Sequence, residues 1–295
     1  LPAIFLLIAS GLQSLWKSGR VLFFATGLAL LVVWTGYLSS YYTDPGDIDE
    51  DWRGLVDYLA QAHRPGDLVV HTYDWMQGYI HVYTESNDDF DYFYVAGLNT
   101  KSLASMSVAR ERLWLLDYEN TPFSYGNWPG AWMREHYALA GTHTFGNSSI
   151  SAFVHPDNLG NVDRSVRFTN GIEMNWVPVE YKRNSGDAVA VELVFGAPTK
   201  RLDAYQIFLH LLDSEGKLIA GNDIGPYNNL RPTVTWSAGE IVHSPHALLL
   251  PFDIVAGEYE LHAGMYSIET GMRLLTENGK ESVRLGLVEI PQKKF

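Results

Sequence analysis

The sequence predicts a membrane helical hairpin, then a small α/β (Rossmann-like) domain, then an antiparallel β-sandwich domain. Three observations predict it. Val21 to Tyr42 carries no charge. Between about 49 and 155 helical and strand-like patterns alternate, and after about 166 short strand-like runs follow one another between turn residues. The expected organisation is a transmembrane helical hairpin at 1–43, with spans at 1–16 and 21–42. An extracytoplasmic α/β domain at 44–155, a linker at 156–165 and a β-sandwich domain at 166–295 follow.

The hairpin rests on length and charge. VLFFATGLALLVVWTGYLSSYY, residues 21–42, exceeds the roughly 20 helical residues that cross a hydrocarbon layer. Leu1 to Trp16 is a second uncharged apolar run, joined to the first by Lys17-Ser18-Gly19-Arg20. Both positive charges sit in that link, while the far end opens into Asp44, Asp47, Asp49, Glu50 and Asp51. The positive-inside rule then puts the link in the cytoplasm and the rest of the chain outside, at a cell membrane. Trp34, Tyr37, Tyr41 and Tyr42 fall where aromatic rings favour the headgroup layer. A cleaved signal peptide would need a shorter apolar region and a small-residue cleavage site, and neither is present. The chain begins at Leu1, already in apolar sequence, so the tail of a larger membrane protein is expected.

In the α/β segment, Trp52, Leu55, Val56, Leu59 and Ala60 recur at helical spacing behind the possible capping pair Asp47 and Glu50, until Arg64-Pro65-Gly66 ends the run. Asp67 to Tyr73 reads as a buried strand and Trp75 to Tyr83 as a helix. Strands at 92–96 and 112–117, a helix near 129–138 and a closing pair at 142–145 and 149–154 complete a mostly parallel sheet. Beyond the polar linker, 188–195, 205–212, 241–250, 258–266 and 282–290 are strand-like and separated by Gly, Pro, Asn or Asp, the punctuation of a sandwich.

Composition excludes several functions. With 46% hydrophobic and 19% charged residues the bulk of the chain is not disordered. There are 21 basic and 34 acidic side chains, a net of −13. Setting aside Lys17 and Arg20, residues 44–295 hold 19 basic against 34 acidic groups, a net of −15. Nucleic acid is a poor partner for such a surface. The absence of cysteine removes disulfides, thiolate metal sites and cysteine nucleophiles. No G-x-G-x-x-G or P-loop occurs, so no dinucleotide or other cofactor is expected.

Candidate binding residues lie at the carboxyl end of the first strand, where open α/β sheets take ligands. Asp74 offers an acceptor, and Trp75 and Tyr79 offer aromatic faces suited to a sugar ring; a surface turn with core-packed rings is the competing reading. Asp47-Ile-Asp49 and Asp89-Phe-Asp91 are D-x-D pairs too short to define a metal site. His71 and His81 match no ligand spacing, and His243-Ser244-Pro245-His246 lacks a third ligand, so no metal is expected. Trp236, Tyr227 and Tyr266 could serve carbohydrate in the sandwich or fill its core. Asn147-Ser148-Ser149 is a formal glycosylation sequon. No catalytic constellation emerges.

Further residues carry a resemblance. After the hairpin come Tyr41-Tyr42, Asp51-Trp52-Arg53-Gly54-Leu55-Val56-Asp57-Tyr58-Leu59 and Arg64-Pro65-Gly66-Asp67-Leu68-Val69-Val70, with Arg112 to Leu116, Trp132 to His136 and Phe145-Gly146 beyond. This order resembles the C-terminal end of polytopic bacterial glycosyltransferases of family 39, the protein mannosyltransferase and aminoarabinose transferase group. Phe208 to Gly216, Trp236 to Glu240, Pro251, Gly257-Glu258-Tyr259, Gly264-Met265-Tyr266 and Thr270-Gly271 resemble the β domains appended to some of them. The resemblance implies a polyprenyl-phosphate-linked sugar as donor, a glycan or protein as acceptor, the bilayer as partner, and a catalytic acid on early membrane loops. No catalytic residue is carried over to residues 1–295, which are expected to be non-catalytic. The alternatives are a membrane-anchored carbohydrate-binding module and a structural envelope protein.

Overall fold

Arg20–Thr43 forms one helix, α1, of 24 residues. Its apolar residues face every direction, and the stretch Arg20–Ser40 is nowhere buried against protein. A helix that is apolar all round needs an apolar surrounding, and this one has the length and composition of a membrane anchor or of a signal sequence. The computed structural model describes residues 9–11, 13–14, 16–17, 19–43, 50–84, 91–94, 99–108, 110–118, 128–155, 163–200 and 202–292. The helix is interrupted at Gly19 within the predicted link. Residues 1–8, 12, 15 and 18, where most of the first predicted span falls, lie outside the described residues. So do Asp44, Asp47, Asp49, Asp89 and most of the linker. Residues 1–51 and 52–295 are two separate units.

In the second unit, α2 (Trp52–Ala62) buries Trp52, Leu55, Val56, Leu59 and Ala62. Next come β1 (Leu68–His71), α3 (Asp74–Tyr83), β2 (Asp91–Tyr94), α4 (Thr100–Ser107), β3 (Arg112–Tyr118), α5 (Trp128–His136), β4 (Ala138–Phe145) and β5 (Ser148–Val154). The sheet order is β2-β1-β3-β5-β4. β1 is parallel to both β2 and β3, whereas β5 is antiparallel to β3 and β4. The sheet is therefore mixed where a mostly parallel one was expected, because Gly146-Asn147 turns β4 directly into β5 as a hairpin. Alternation along the strands separates two faces. Val69, Trp114, Leu116 and Ala152 share a core with α2 and α3. Leu68, Val70, Leu113, Leu115 and Phe153 share another with Leu103 of α4 and Met133 of α5. The α4 helix is not predicted by periodicity. It starts at Asn99, whose side chain accepts from the Lys101 and Ser102 amides at 3.0 and 3.2 Å.

The remainder comprises β6 (Arg164–Arg167), β7 (Glu173–Trp176), β8 (Val179–Lys182), β9 (Ala188–Ala197), β10 (Tyr205–Leu212), β11 (Leu218–Ile224), β12 (Glu240–Leu249), β13 (Gly257–Ser267) and β14 (Val283–Ile290). Two sheets, β11-β10-β13-β14-β8 and β12-β9-β7-β6, enclose one core in a β-sandwich. It departs from a purely antiparallel sandwich at β8, an edge strand that runs parallel to β14.

The sandwich packs on the α/β layer through small residues. Ala190 of β9 and Ala247 of β12 join the core of Ala138, Ala140 and Ala152, so the sheets approach closely. Asp67 and Arg112, each 5% exposed, form the centre of a polar tie beside this contact. The Asp67 carboxylate accepts from Arg112 Nη2 at 2.7 Å, Trp114 Nε1 at 2.9 Å and the Arg64 amide at 2.9 Å. Arg112 also donates to the Ala62 carbonyl at 2.8 Å and, across to the sandwich, to the Gly186 carbonyl at 3.1 Å. Gly186 has φ +77°, and a side chain there would run into Phe252 and Arg64. A second tie is the turn Tyr227-Asn228-Asn229, three successive residues with φ between 51° and 68°. Buried Asn228 accepts from the Leu139 amide at 2.9 Å and donates to the carbonyls of Arg134 and Tyr137. Those contacts hold a conformation that costs L-residues energy.

Candidate functional site

The carboxyl ends of parallel β1 and β3 carry a set of aromatic rings. Met76 and Ile80 of α3 are fully buried; Tyr79 is half-buried against the same core, and Trp75, Gly78, Val82 and Tyr83 reach the surface beside it. The helix thus carries apolar side chains beyond those it buries, and part of them stays open to solvent. Trp75 is 38% exposed, Val82 73% and Tyr83 37%. A Cβ added at Gly78 would meet nothing within 4 Å, so the middle of the face is open.

The three predicted residues come together here. Asp74 is the exposed first residue of α3, where a carboxylate is favoured by the helix dipole. The Trp75 ring lies 5.4 Å edge-on from Tyr118 and 5.5 Å in a stack with Tyr73. Tyr79 stacks on buried Trp52 at 4.9 Å and continues to Tyr83 at 6.4 Å. The Arg53 guanidinium lies 5.4 Å over the Tyr83 ring. Sequence reasoning missed Trp52, Tyr83 and Tyr118 as members. Trp52 was legible only as a core position of α2, and Tyr118 is brought in by the parallel pairing of β1 with β3.

Beneath the face, His71 is buried and its Nδ1 lies 2.8 Å from the Tyr73 carbonyl. Burial lowers its pKa, against the opposing pull of that carbonyl and of Asp74. The contact of His71 with the Tyr73 carbonyl fixes the turn that presents Asp74 and Trp75. His81 is exposed. Among the described residues no group of three or more His, Asp or Glu side chains could hold a metal ion. His243 and His246 point to opposite sides of β12: His243 is exposed and 2.8 Å from Glu192, whereas His246 is fully buried, 2.9 Å from Ser244 Oγ. H-x-x-H on a strand separates its two rings.

Of the sandwich aromatics, Trp236 and Tyr227 are tied into the structure. Trp236 is fully buried against Phe195, with its indole donating to the Arg231 carbonyl at 2.9 Å. The Tyr227 hydroxyl donates to the Glu135 carbonyl at 2.6 Å. Tyr266 is half-buried, its hydroxyl pKa raised by burial and by Asp223. A cleft of about 600 Å³ lies over the Asp67–Arg112 tie, lined by Arg64, Glu111, His155, Lys182, Arg183 and Asp187 among others. Its cations are taken up: Arg64 with Asp187, Arg112 with Asp67 and Lys182 with Glu289.

No family model and no curated protein sequence matches the chain. Solved structures align with it at low similarity. A family 123 glycoside hydrolase from Clostridium perfringens aligns at 12% identity with a TM-score of 0.23, over 39% of this chain and 23% of its own. The chain thus spans less than a quarter of that enzyme's length. The C-terminal domain of wzt aligns at 13% identity, TM-score 0.25, over 54% of this chain and 78% of its own. AvmM, which catalyses macrocyclization in alchivemycin A biosynthesis, aligns at 14% identity, TM-score 0.24, over 46% of this chain and all of its own.

Proposed function

We propose that the chain is the extracytoplasmic C-terminal region of a membrane glycosyltransferase that draws on a polyprenyl-phosphate-linked sugar, and that its outward aromatic face holds carbohydrate. The observation that carries the carbohydrate reading is the pair of partly exposed rings Trp75 and Tyr83, with half-buried Tyr79 between them and Asp74 beside Trp75, at the carboxyl ends of parallel strands. Flat rings with an acceptor at their edge suit the C–H face and hydroxyls of a pyranose. The donor and the family rest on the residues that resemble family 39, and the region contributes binding rather than chemistry. The catalytic acid implied by that resemblance belongs to loops outside residues 1–295. A Rossmann-like reading of 52–155 is supported by the parallel β2-β1-β3 half with helices on both faces. The extracytoplasmic side is supported by Lys17 and Arg20 at one end of α1 and five carboxylates beyond the other.

The test is binding of the detergent-solubilised chain to a bacterial glycan array. Binding is expected for the wild type and to weaken by about tenfold or more in Trp75→Ala, the loss of one aromatic anchor. Uniform absence of binding, or binding indifferent to Trp75→Ala, contradicts the carbohydrate reading.

A further inference from the structure

The outer face of the sandwich sheet β11-β10-β13-β14-β8 carries a chain of polar side chains away from the helix face. Leu261 and Ala263 of β13 and Leu285 of β14 lie in the sandwich core, and Val283 packs against it. The residues that alternate with them, Glu260, His262, Ser282 and Arg284, therefore share the opposite face. His262 is registered against Arg284 across the two strands. Its Nε2 lies 3.0 Å from Glu260 Oε2, and its Nδ1 lies 3.1 Å from the Ser282 hydroxyl. The other carboxylate oxygen of Glu260 is held by Arg284 at 3.2 Å.

The direction of these bonds follows from the donor inventory. An ionised carboxylate only accepts, so Nε2 carries the ring proton towards Glu260 and Nδ1 is left to accept from the Ser282 hydroxyl. The bond with His262 lowers the Glu260 pKa, and the Arg284 charge adds to it. A hydroxyl that donates to a base, itself oriented by a carboxylate, is the arrangement of an activated nucleophile. Ser282 is half-buried and His262 keeps 17% of its side chain open, so a small solute can reach both. His210, directly across from His262 on β10, is turned to Asp223 at 3.1 Å. A Cβ at Gly264 would collide with the Phe208 ring and the Glu281 carbonyl, so the glycine lets β13 close onto the segment that carries Ser282. Local spacing does not reveal the set, because Ser282 lies 20 positions beyond His262.

We infer that Ser282 is a nucleophile towards small acyl esters, with His262 as its general base and Glu260 as a positioning residue. This chemistry is separate from sugar transfer and does not rest on the carbohydrate reading. Ser282 Oγ bonds to the ester carbonyl carbon as its proton passes to His262 Nδ1. The carbon–oxygen bond to the alcohol then breaks, and the alcohol leaves with that proton. Water attacks the acyl-serine, its proton returns through Nδ1 to Ser282 Oγ, and the carboxylic acid is released. Arg273, which Glu281 holds at 3.3 Å one position before Ser282, is assigned to the developing oxyanion.

The probe is an alkyl fluorophosphonate, from which a serine oxygen displaces fluoride at phosphorus while its proton passes to the base. With no cysteine in the chain, no thiol competes for it. The detergent-solubilised full chain is labelled and the adduct mapped by peptide mass. An adduct on Ser282 is expected, absent in Ser282→Ala and formed about 100-fold or more slowly in His262→Ala, the range of a lost general base. His210→Ala, at the histidine directly opposite, should label as wild type does. The wild-type rate should fall as pH drops from about 8 to 5, where imidazole takes up a proton. In Glu260→Gln that acid limb should move to lower pH, because an amide no longer favours the protonated ring. Nitrophenyl acetate should be turned over with the same pH dependence, and labelling without turnover overturns the assignment to acyl esters. No adduct on folded wild type, or a rate flat with pH, overturns the inference. So does equal labelling of wild type and folded His262→Ala; where that variant fails to fold, the wild-type pH profile decides.

Discussion

The two halves of the 52–295 unit use the same residue types in opposite ways. In the sandwich Trp236, Phe195 and Phe168 are fully buried, and the Trp236 indole has a backbone acceptor, as buried rings require. In the α/β half Trp75 and Tyr79 pack on Trp52 of α2 and Tyr79 stacks on Tyr83, yet Trp75 and Tyr83 each keep more than a third of their surface open. The difference teaches that aromatic content does not mark a binding surface. What separates the two halves is exposure: the sandwich rings are closed off, whereas Trp75 and Tyr83 stay partly open.

The comparison can be broken first at the tie that joins the halves. Arg112→Ala leaves the Asp67 carboxylate buried without its guanidinium and removes the donor to Gly186; urea unfolding should lose about 3–5 kcal/mol, the usual cost of breaking a buried pair. A loss below about 1 kcal/mol, the range of exposed pairs, would mean that the tie does not hold the halves together. Asn228→Ala should cost less, about 2–3 kcal/mol, through three backbone groups left unsatisfied. Asn228→Gly sharpens the point. Glycine tolerates the positive φ but cannot make the bonds, so a loss close to that of alanine assigns the effect to hydrogen bonding and a recovery assigns it to backbone strain.

A pH-dependent effect separates the sandwich from the helix face. Burial lowers the His246 pKa to about 3. The folded state therefore holds this ring neutral, while the unfolded chain takes up a proton near its ordinary value of about 6.5. Its contribution is fully present above about pH 7 and is lost as pH falls from there towards 3, at no more than about 1.4 kcal/mol per unit. His246→Gln should flatten the stability profile in that window relative to wild type. Unchanged slopes would mean that the ring is not buried neutral.

Part of this was legible in the sequence, for reasons specific to each element. The apolar run behind α1 and the spacing of Trp52, Leu55, Val56 and Leu59 report environment directly, so α1 and α2 are readable. β6 and β11 were not, because RSVR and LIAGNDI are largely exposed edge strands without a clean apolar alternation, and β8 was not, because VEYK alternates over only four residues. The α4 helix has eight residues and a weak pattern, and Asn99 was its one local signal. Of the candidate site, Asp74, Trp75 and Tyr79 follow from the strand-to-helix turn. Tyr118 does not, since it reaches Trp75 only through the register of β3 on β1. The Asp67–Arg112 tie joins positions 45 residues apart, and the three-residue left-handed turn at Tyr227 depends on carbonyls of α5 and its junction with β4, so neither leaves a local trace.

The claim that the α3 face serves binding rather than folding is tested most directly by a matched pair of tryptophan truncations, with thermal unfolding and glycan binding measured on both. Trp236→Ala should lose about 3–5 kcal/mol of stability, and wherever it remains folded it should bind as wild type does. Trp75→Ala should lose less, about 2–3 kcal/mol, since its ring is 38% exposed but still packs on four neighbouring rings, and lose binding. The opposite pattern, in which Trp75→Ala costs as much stability as Trp236→Ala and the folded fraction binds normally, would contradict the account.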